Sequence, residues 1–267
     1  MAGPMYRQIA DELRRKIDSG ELAPGDQLPT EDELMEEYRA SRNTVRGAIK
    51  HLASLGLVDT QHGKGTFVAE PVNPIVTTLT TDPGTGRGGG EGLVYTAEVA
   101  RSGRVASTKP TLVQVSLASE VIADNLRIPV GAEVISRHED RFVDGEPWSL
   151  QTSYYPKTLT TVAPRLLEAG DIEGGTVGYL ASCGIRQAGF RDAIEMRPPE
   201  PAEIEFFGLP ADGRIQVVEI FRTAFDQEAN RVRLTITVYR ADRNRFIINV
   251  GDVPDSEGLQ QAGKARE

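Results

Sequence analysis

The chain has 267 residues, 30 Lys and Arg against 39 Asp and Glu, and a single cysteine. That length suits one large domain or two smaller ones, and a formal net charge of −9 excludes a generally basic coat for nucleic acid. Any DNA binding has to come from a local cationic patch held in a defined geometry, and one cysteine excludes a disulfide scaffold or a cysteine-rich zinc site.

The opening MAGPMYRQIADELRRK turns charged and helical without an apolar signal core, so the expected location is the cytoplasm, with no membrane partner. Ile9, Leu13 and Ile17 recur at i, i+4 and i+8, one stripe of a helix that stops at Gly20. After a Pro-Gly turn, Thr30 and Glu33 predict a capping box for a helix that buries Leu34 and Tyr38. Ser41 is the N-cap of a third helix whose apolar stripe is Val45, Ile49, Leu52 and Leu55, closed by Gly56. Arg42, Asn43, Arg46, Lys50 and His51 then fall mainly on the opposite side. The segments LVDTQ and TFVAE, joined by HGKG, predict a hairpin.

Two short helices joined by a tight turn, the second opening Ser-Arg-Asn-Thr, are the parts of a helix-turn-helix. Such a helix enters the major groove by its N-terminal end. The Ser41 and Thr44 hydroxyls and the terminal amides suit phosphate, and Arg42 and Arg46, four residues apart, suit base edges. Gly63 and Gly65 allow close backbone approach in the hairpin, with Lys64 offering a charge. Between Arg42 and Lys64 the basic side chains Arg42, Arg46, Lys50 and Lys64 face only Asp59, a positive patch in an acidic protein.

Residues 70–93 carry three prolines and a glycine cluster and predict a linker. The run GTGRGGGEG lacks the ending of a phosphate-binding loop. From Val94 the pattern is strand-rich: LVYTAEV, PTLVQVS, EVISRHEDRFV, WSLQTSYYP, FRDAIEMR, QVVEIFRTAF and RLTITVYRA, with helices at 119–126, 164–170, 176–182 and 201–207. This is an α+β domain on a mainly antiparallel sheet. Period two sends Arg137, Glu139 and Arg141 to one face, and separates Arg233, Thr235, Thr237 and Tyr239 from Leu234, Ile236 and Val238. Pattern alone leaves open whether that polar face is solvated or holds a ligand. The three histidines show no metal spacing, Trp148 suits core packing better than ligand stacking, and the tail 251–267 reads as disordered.

From Tyr6 to Val68 the sequence resembles the winged-helix domain of GntR-family bacterial transcription regulators, most specifically in GELAPGDQLPTEDEL, SRNTVRGAIKHL and GLV followed by GKGTFV. The resemblance implies DNA contacts from Ser41, Arg42, Asn43, Thr44 and Arg46, from Thr30 and Glu31 ahead of them, and from a wing of His62, Gly63, Lys64 and Gly65 near the minor groove. One position departs: the family usually has arginine where this chain has Asp32. From about Val94 to Ile248 the chain is similar to the effector-binding UTRA domain of the HutC subfamily, related in fold to chorismate lyase, through YTAEVARSG, RFVDGEPWSLQTSYYP, GLPADGRIQVVEIFRTAFDQ and VYRADRNRF.

By this second resemblance Tyr95, Thr96, Glu139, Arg141, Gln151, Thr176, Arg233 and Tyr239 occupy ligand-lining positions. Three depart from the family pattern: Glu139 stands for an arginine, Gln151 for a glutamate and Arg233 for a glutamate. A misplaced carboxylate facing an anion rejects the usual sugar phosphate. The expected effector is a different small molecule, with an anionic or carbonyl group near Arg141 and Arg233. The expected organisation is a winged helix-turn-helix over 1–69, a linker over 70–93, an effector-binding and dimerisation domain over 94–250, and the tail. The expected function is a homodimeric, ligand-responsive repressor on a near-palindromic double-stranded operator, with no cofactor, metal or catalytic residues. A ligand-independent dimeric regulator and an enzyme on the chorismate-lyase fold are the alternatives.

Overall fold

The computed structural model describes residues 4–61, 63–69, 74–79, 93–210, 213, 215–248 and 250. The chain divides into two compact units, Met1–Val72 and Asn73–Glu267.

The first unit builds α1 (Met5–Asp18), α2 (Glu31–Tyr38) and α3 (Arg42–Ser54), then β1 (Val58–Gln61) and β2 (Gly65–Val68). The predicted capping box forms: the Glu33 amide donates to Thr30 Oγ1 at 3.3 Å, and the Thr30 amide donates to the Glu33 carboxylate at 2.8 Å. Those bonds lower the Glu33 pKa, the Thr30 backbone bond most of all. Arg39 adopts a left-handed backbone at φ 49 to end α2, and Ser41 caps α3 two residues later, which makes the turn between them tight. Ile9, Leu13, Leu34, Val45, Ala48 and Leu52 close the core with Val58 and Val68. Each fully buried aliphatic side chain there contributes about 1.5–3 kcal/mol.

The stripe on α3 differs from expectation. Ala48 is fully buried, Ile49 only partly so, and Leu55 is half exposed. Leu55 is itself the C-cap, where the chain turns away from the core, and Gly56 follows it at φ 69.

The second unit runs β3 (Ile75–Thr78), α4 (Leu93–Arg101), β4 (Ala106–Thr108), β5 (Leu112–Leu117), α5 (Glu120–Leu126), β6 (Glu133–Val143), β7 (Glu146–Pro156), α6 (Gly175–Ser182), β8 (Gln187–Arg197), α7 (Pro201–Phe207), β9 (Val217–Asp226), β10 (Arg231–Arg240) and β11 (Asn244–Ile247). Seven strands form one antiparallel sheet in the order β4-β6-β7-β10-β9-β8, with β5 also on β6. One face carries Leu234, Ile236 and Phe221 and packs under α5 through Ile122, Ala123 and Leu126. The other face carries the polar row of β6, β7 and β10.

Three expectations need correction. Residues 93–99, read as a strand, lie in helix α4: Tyr95 and Val99 are buried while Ala97 between them is exposed, which a helix allows and an alternating strand does not. The expected linker 70–93 is not linker throughout, since β3 lies within it and pairs in parallel with β11. The expected helix over 164–170 is a single 3-10 turn, Pro164–Leu167, with Glu168 already extended at ψ 133. The glycine run and the tail from 251 lie outside the described residues. None of the described helices is long and apolar enough to cross a membrane.

Candidate DNA-binding face and effector pocket

Helix α3 turns Val45, Ala48 and Leu52 inward, which leaves Arg42, Asn43, Arg46 and Lys50 exposed on the opposite side. His51 sits edge-on to the Tyr6 ring at 6.1 Å, toward α1 and away from that side. The Ser41 hydroxyl accepts the Thr44 amide at 3.3 Å, and the two hydroxyls bond each other at 2.8 Å. Thr30 and Glu31 are also engaged within the unit, Thr30 in its cap and Glu31 with Arg46.

The electrostatics differ from the linear count. Arg42 Nη2 donates to Asp32 Oδ1 at 2.6 Å, and Arg46 Nε donates to both Glu31 oxygens at 2.8 and 3.0 Å. The Glu31 hydrogen bond and charge raise the Arg46 pKa further. Folding α2 against α3 thus adds Glu31 and Asp32 to Asp59, three acids against the four bases Arg42, Arg46, Lys50 and Lys64. All four members of the two ion pairs keep part of their side chains in solvent, so the arginines remain able to change partner.

In the wing, β1 and β2 pair antiparallel and the Lys64 amide closes the turn onto the Gln61 carbonyl at 3.0 Å. His62 lies outside the described residues. Gly65 adopts φ 128 and lies against Gln27, whose Nε2 donates to the Lys64 carbonyl at 3.1 Å. A Cβ there would collide with the Gln27 amide and break that bond, on a backbone that side chains rarely adopt. Gly65→Ala is therefore expected to cost about 1–3 kcal/mol and to loosen the wing. Thermal unfolding compared with Gly63→Ala, whose Cβ would meet open space, checks the steric part.

On the polar face of the second unit lies a cavity of about 320 Å³, at the small end of ligand sites. Seven of the eight expected positions line it: Tyr95, Thr96, Glu139, Arg141, Gln151, Thr176 and Arg233. Period two explains why: Glu139 pairs with Gln151 across β6 and β7, and Gln151 with Thr237 across β7 and β10, so they share a face. Arg141 is fully buried beneath that face and paired to Glu139, with the Tyr95 ring 5.0 Å from its guanidinium carbon. Burial pushes the Tyr95 hydroxyl up to about 12, and it donates to the Phe142 carbonyl at 2.6 Å as a neutral group.

Tyr239 is the exception among the eight. It stands edge-on to Trp148 at 5.2 Å and to Phe246 at 5.1 Å, in the apolar cluster beside the cavity. Trp148 stacks on Tyr95 at 4.6 Å and donates to Asn244 at 2.7 Å, so it too is core.

The cavity also takes in Arg137, Ser153, Thr111 and the loop from Asp171 into α6, none of which was expected. Ser153 and Arg137 follow by the same alternation from Gln151 and Glu139. The loop has only one sequence mark, the pair Gly174-Gly175, both at φ 78, which opens α6 toward the cavity. Arg137 secures the stretch leading into that loop by donating to the carbonyls of Leu166, Glu168 and Gly170.

A winged helix-turn-helix joined in one chain to a unit with a polar cavity on its sheet defines a ligand-responsive DNA-binding regulator. The chain belongs to the GntR family of bacterial regulatory proteins and to its HutC subfamily: residues 5–68 match "Bacterial regulatory proteins, gntR family" and residues 101–245 match "UTRA domain". It is 31% identical over 267 residues to the HTH-type transcriptional regulator SCO4628 of Streptomyces coelicolor, covering 95% of this chain and 94% of that one. It is 29% identical over 244 residues to the HTH-type transcriptional repressor PhnF of Mycolicibacterium smegmatis, covering 90% of each. The crystal structure of that PhnF superposes at a TM-score of 0.54 and 25% identity, over 92% of this chain and 100% of that one. A crystal structure assigned to the GntR-family regulators superposes at 0.68 and 27% identity, over 94% of this chain and 98% of that one. The protein is a transcription regulator that binds DNA through its helix-turn-helix and a small molecule through its UTRA domain, not an enzyme.

Proposed function

We propose that this protein is a homodimeric repressor, working in the bacterial cytoplasm, that leaves a near-palindromic operator when a small molecule fills the UTRA cavity. The observation that carries the reading is the division of α3 into a buried stripe and an exposed cationic side. Ser41, Arg42, Asn43, Thr44 and Arg46 read the major groove, and Thr30 and Glu31 lie beside the backbone. Gly63, Lys64, Gly65 and His62 follow phosphate toward the minor groove. A two-fold dimer sets two such helices on half-sites about one helical turn apart. The repressor sign is supported by PhnF, named as one.

In the cavity, Tyr95, Thr96, Glu139, Arg141, Gln151, Thr176 and Arg233 hold the effector, which must favour one arrangement of the DNA-binding heads over another to release the operator. Residues 1–69 act as the head, 94–250 as the sensor, and the stretch between them as the connection that carries the change.

Genomic fragments selected for binding supply the operator for the test. Arg46→Ala is expected to lose discrimination between operator and altered sequences, because a bidentate arginine contributes about 1–3 kcal/mol of base preference. Lys64→Ala is expected to weaken binding to all duplexes alike and to flatten the salt dependence. Unchanged sequence preference in Arg46→Ala would sink the assignment of α3 as the reading helix.

A further inference from the structure

We propose that Glu139 is a built-in counter-ion occupying the anion-binding position of the cavity, so that the effector is an uncharged molecule bearing hydroxyl, carbonyl or amide groups. The inference deepens the effector reading above and rests on it.

Arg141 has a side chain only 1% exposed, and its Nε and Nη2 both donate to Glu139 Oε2, at 3.0 and 2.8 Å. The fork that would grip a phosphate or carboxylate already holds a carboxylate. That carboxylate is two residues away on the same strand and cannot diffuse off. An incoming anion either displaces it, leaving a negative charge in a mostly buried place, or sits beside it as a like charge where the field is poorly screened.

The other lining arginines are also engaged. Arg137 is spent on three backbone carbonyls, and Arg233 Nη2 donates to Gln187 Oε1 at 2.8 Å. Formal charge along the wall balances, with Arg137, Arg141 and Arg233 against Glu139, Asp171 and Glu173. Asp171 in turn accepts the Thr111 hydroxyl. The remaining polar lining is hydroxyl and amide, from Thr96, Thr108, Thr176, Ser153 and Gln151. Such groups both donate and accept, which matches a polyol or an amide and gives a dianion little compensation.

The intact protein, its Glu139→Gln variant and the Glu139→Gln, Arg141→Gln double variant are melted with inorganic phosphate at about 10 mM and with a metabolite panel, since a specific ligand raises stability by mass action. Phosphate is expected to leave the wild type unmoved. Glu139→Gln is expected to melt lower without phosphate, to recover with it, and to bind phosphate about tenfold more tightly or better. The double variant loses that gain, which ties it to Arg141. Panel compounds that stabilise the wild type are expected to be uncharged.

The proposal is overturned if phosphate stabilises the wild type as well as it does Glu139→Gln, if the gain survives in the double variant, or if a stabilising compound carries a phosphate or carboxylate. Should Glu139→Gln fail to fold, the wild-type arms decide alone. Failure of the regulator reading shows separately, in operator binding by Arg46→Ala, which does not involve the cavity.

Discussion

Replacing Arg197 with methionine is expected to remove about 3–5 kcal/mol from the stability of the second unit, the cost of stripping the cation from buried carboxylates. The guanidinium at the end of β8 holds two of them. It meets Glu203 at 2.7 and 2.8 Å and Glu219 at 2.7 and 3.1 Å. Glu203 is 8% exposed and Glu219 14%, so neither can turn to water. Glu203 also accepts the Glu200 amide at 2.7 Å, so the same carboxylate caps α7 and ties that helix to the sheet.

The Glu203 bond first, and the Glu219 bond next, raise the Arg197 pKa above its usual value. A cation raised in this way stabilises the fold fully below its ordinary pKa and loses the effect only as pH climbs through the folded one, beyond any working pH. Denaturant unfolding of the variant beside the wild type measures the loss. Trp148, the only tryptophan and buried in this unit, makes fluorescence report on the second unit alone. A loss under about 1 kcal/mol would mean the cluster behaves as an ordinary surface pair.

What could be read from the sequence was whatever a local rule governs. The bounds of β6 and α7 agree with expectation at both ends, because alternation over eleven residues and a proline opening the helix leave little choice. The capping box of α2 needs only Thr30 and Glu33. LVYTAEV alternates as well as it turns, and only the exposure of Ala97 between buried Tyr95 and Val99 separates helix α4 from a strand. Strand β3 is four residues long and its partner β11 comes about as late in the chain as any described element, so no local pattern announces it.

The site divides in the same way. Glu139, Arg141, Gln151 and Arg233 follow from strand period and resemblance, whereas Thr111 and Asp171 reach the cavity only through a bond sixty positions apart. Tyr239 has the right period but lies too far along β10, where aromatic packing takes over. The carboxylates that hold Arg42 and Arg46 were equally out of reach, because separations of ten and fifteen residues between two helices match no helical repeat.

Those carboxylates lead to the second large effect: Asp32→Arg is expected to tighten binding to non-operator DNA by about tenfold or more and to steepen the salt dependence. Asp32 stands where the family resemblance leads one to expect arginine, and its side chain is 78% exposed beside α3. An exposed carboxylate near phosphates repels them, and exchanging it for a cation adds one released counterion, a change of about 0.9 in the slope of log affinity against log salt. Asp32→Asn removes the repulsion alone and is expected to fall between the two.

Selectivity should move the other way. In the proposed complex the 2.6 Å bond to Asp32 presents Arg42 to the duplex already oriented, and a held side chain loses less freedom on binding. Without that bond the operator gains less than random DNA does, and the ratio between them shrinks. Anisotropy titrations of operator and scrambled duplexes over a range of salt concentrations measure slope and ratio together. An operator affinity that drops while scrambled DNA is unaffected would assign Asp32 to positioning only, and an unchanged slope in Asp32→Arg would put residue 32 outside the interface.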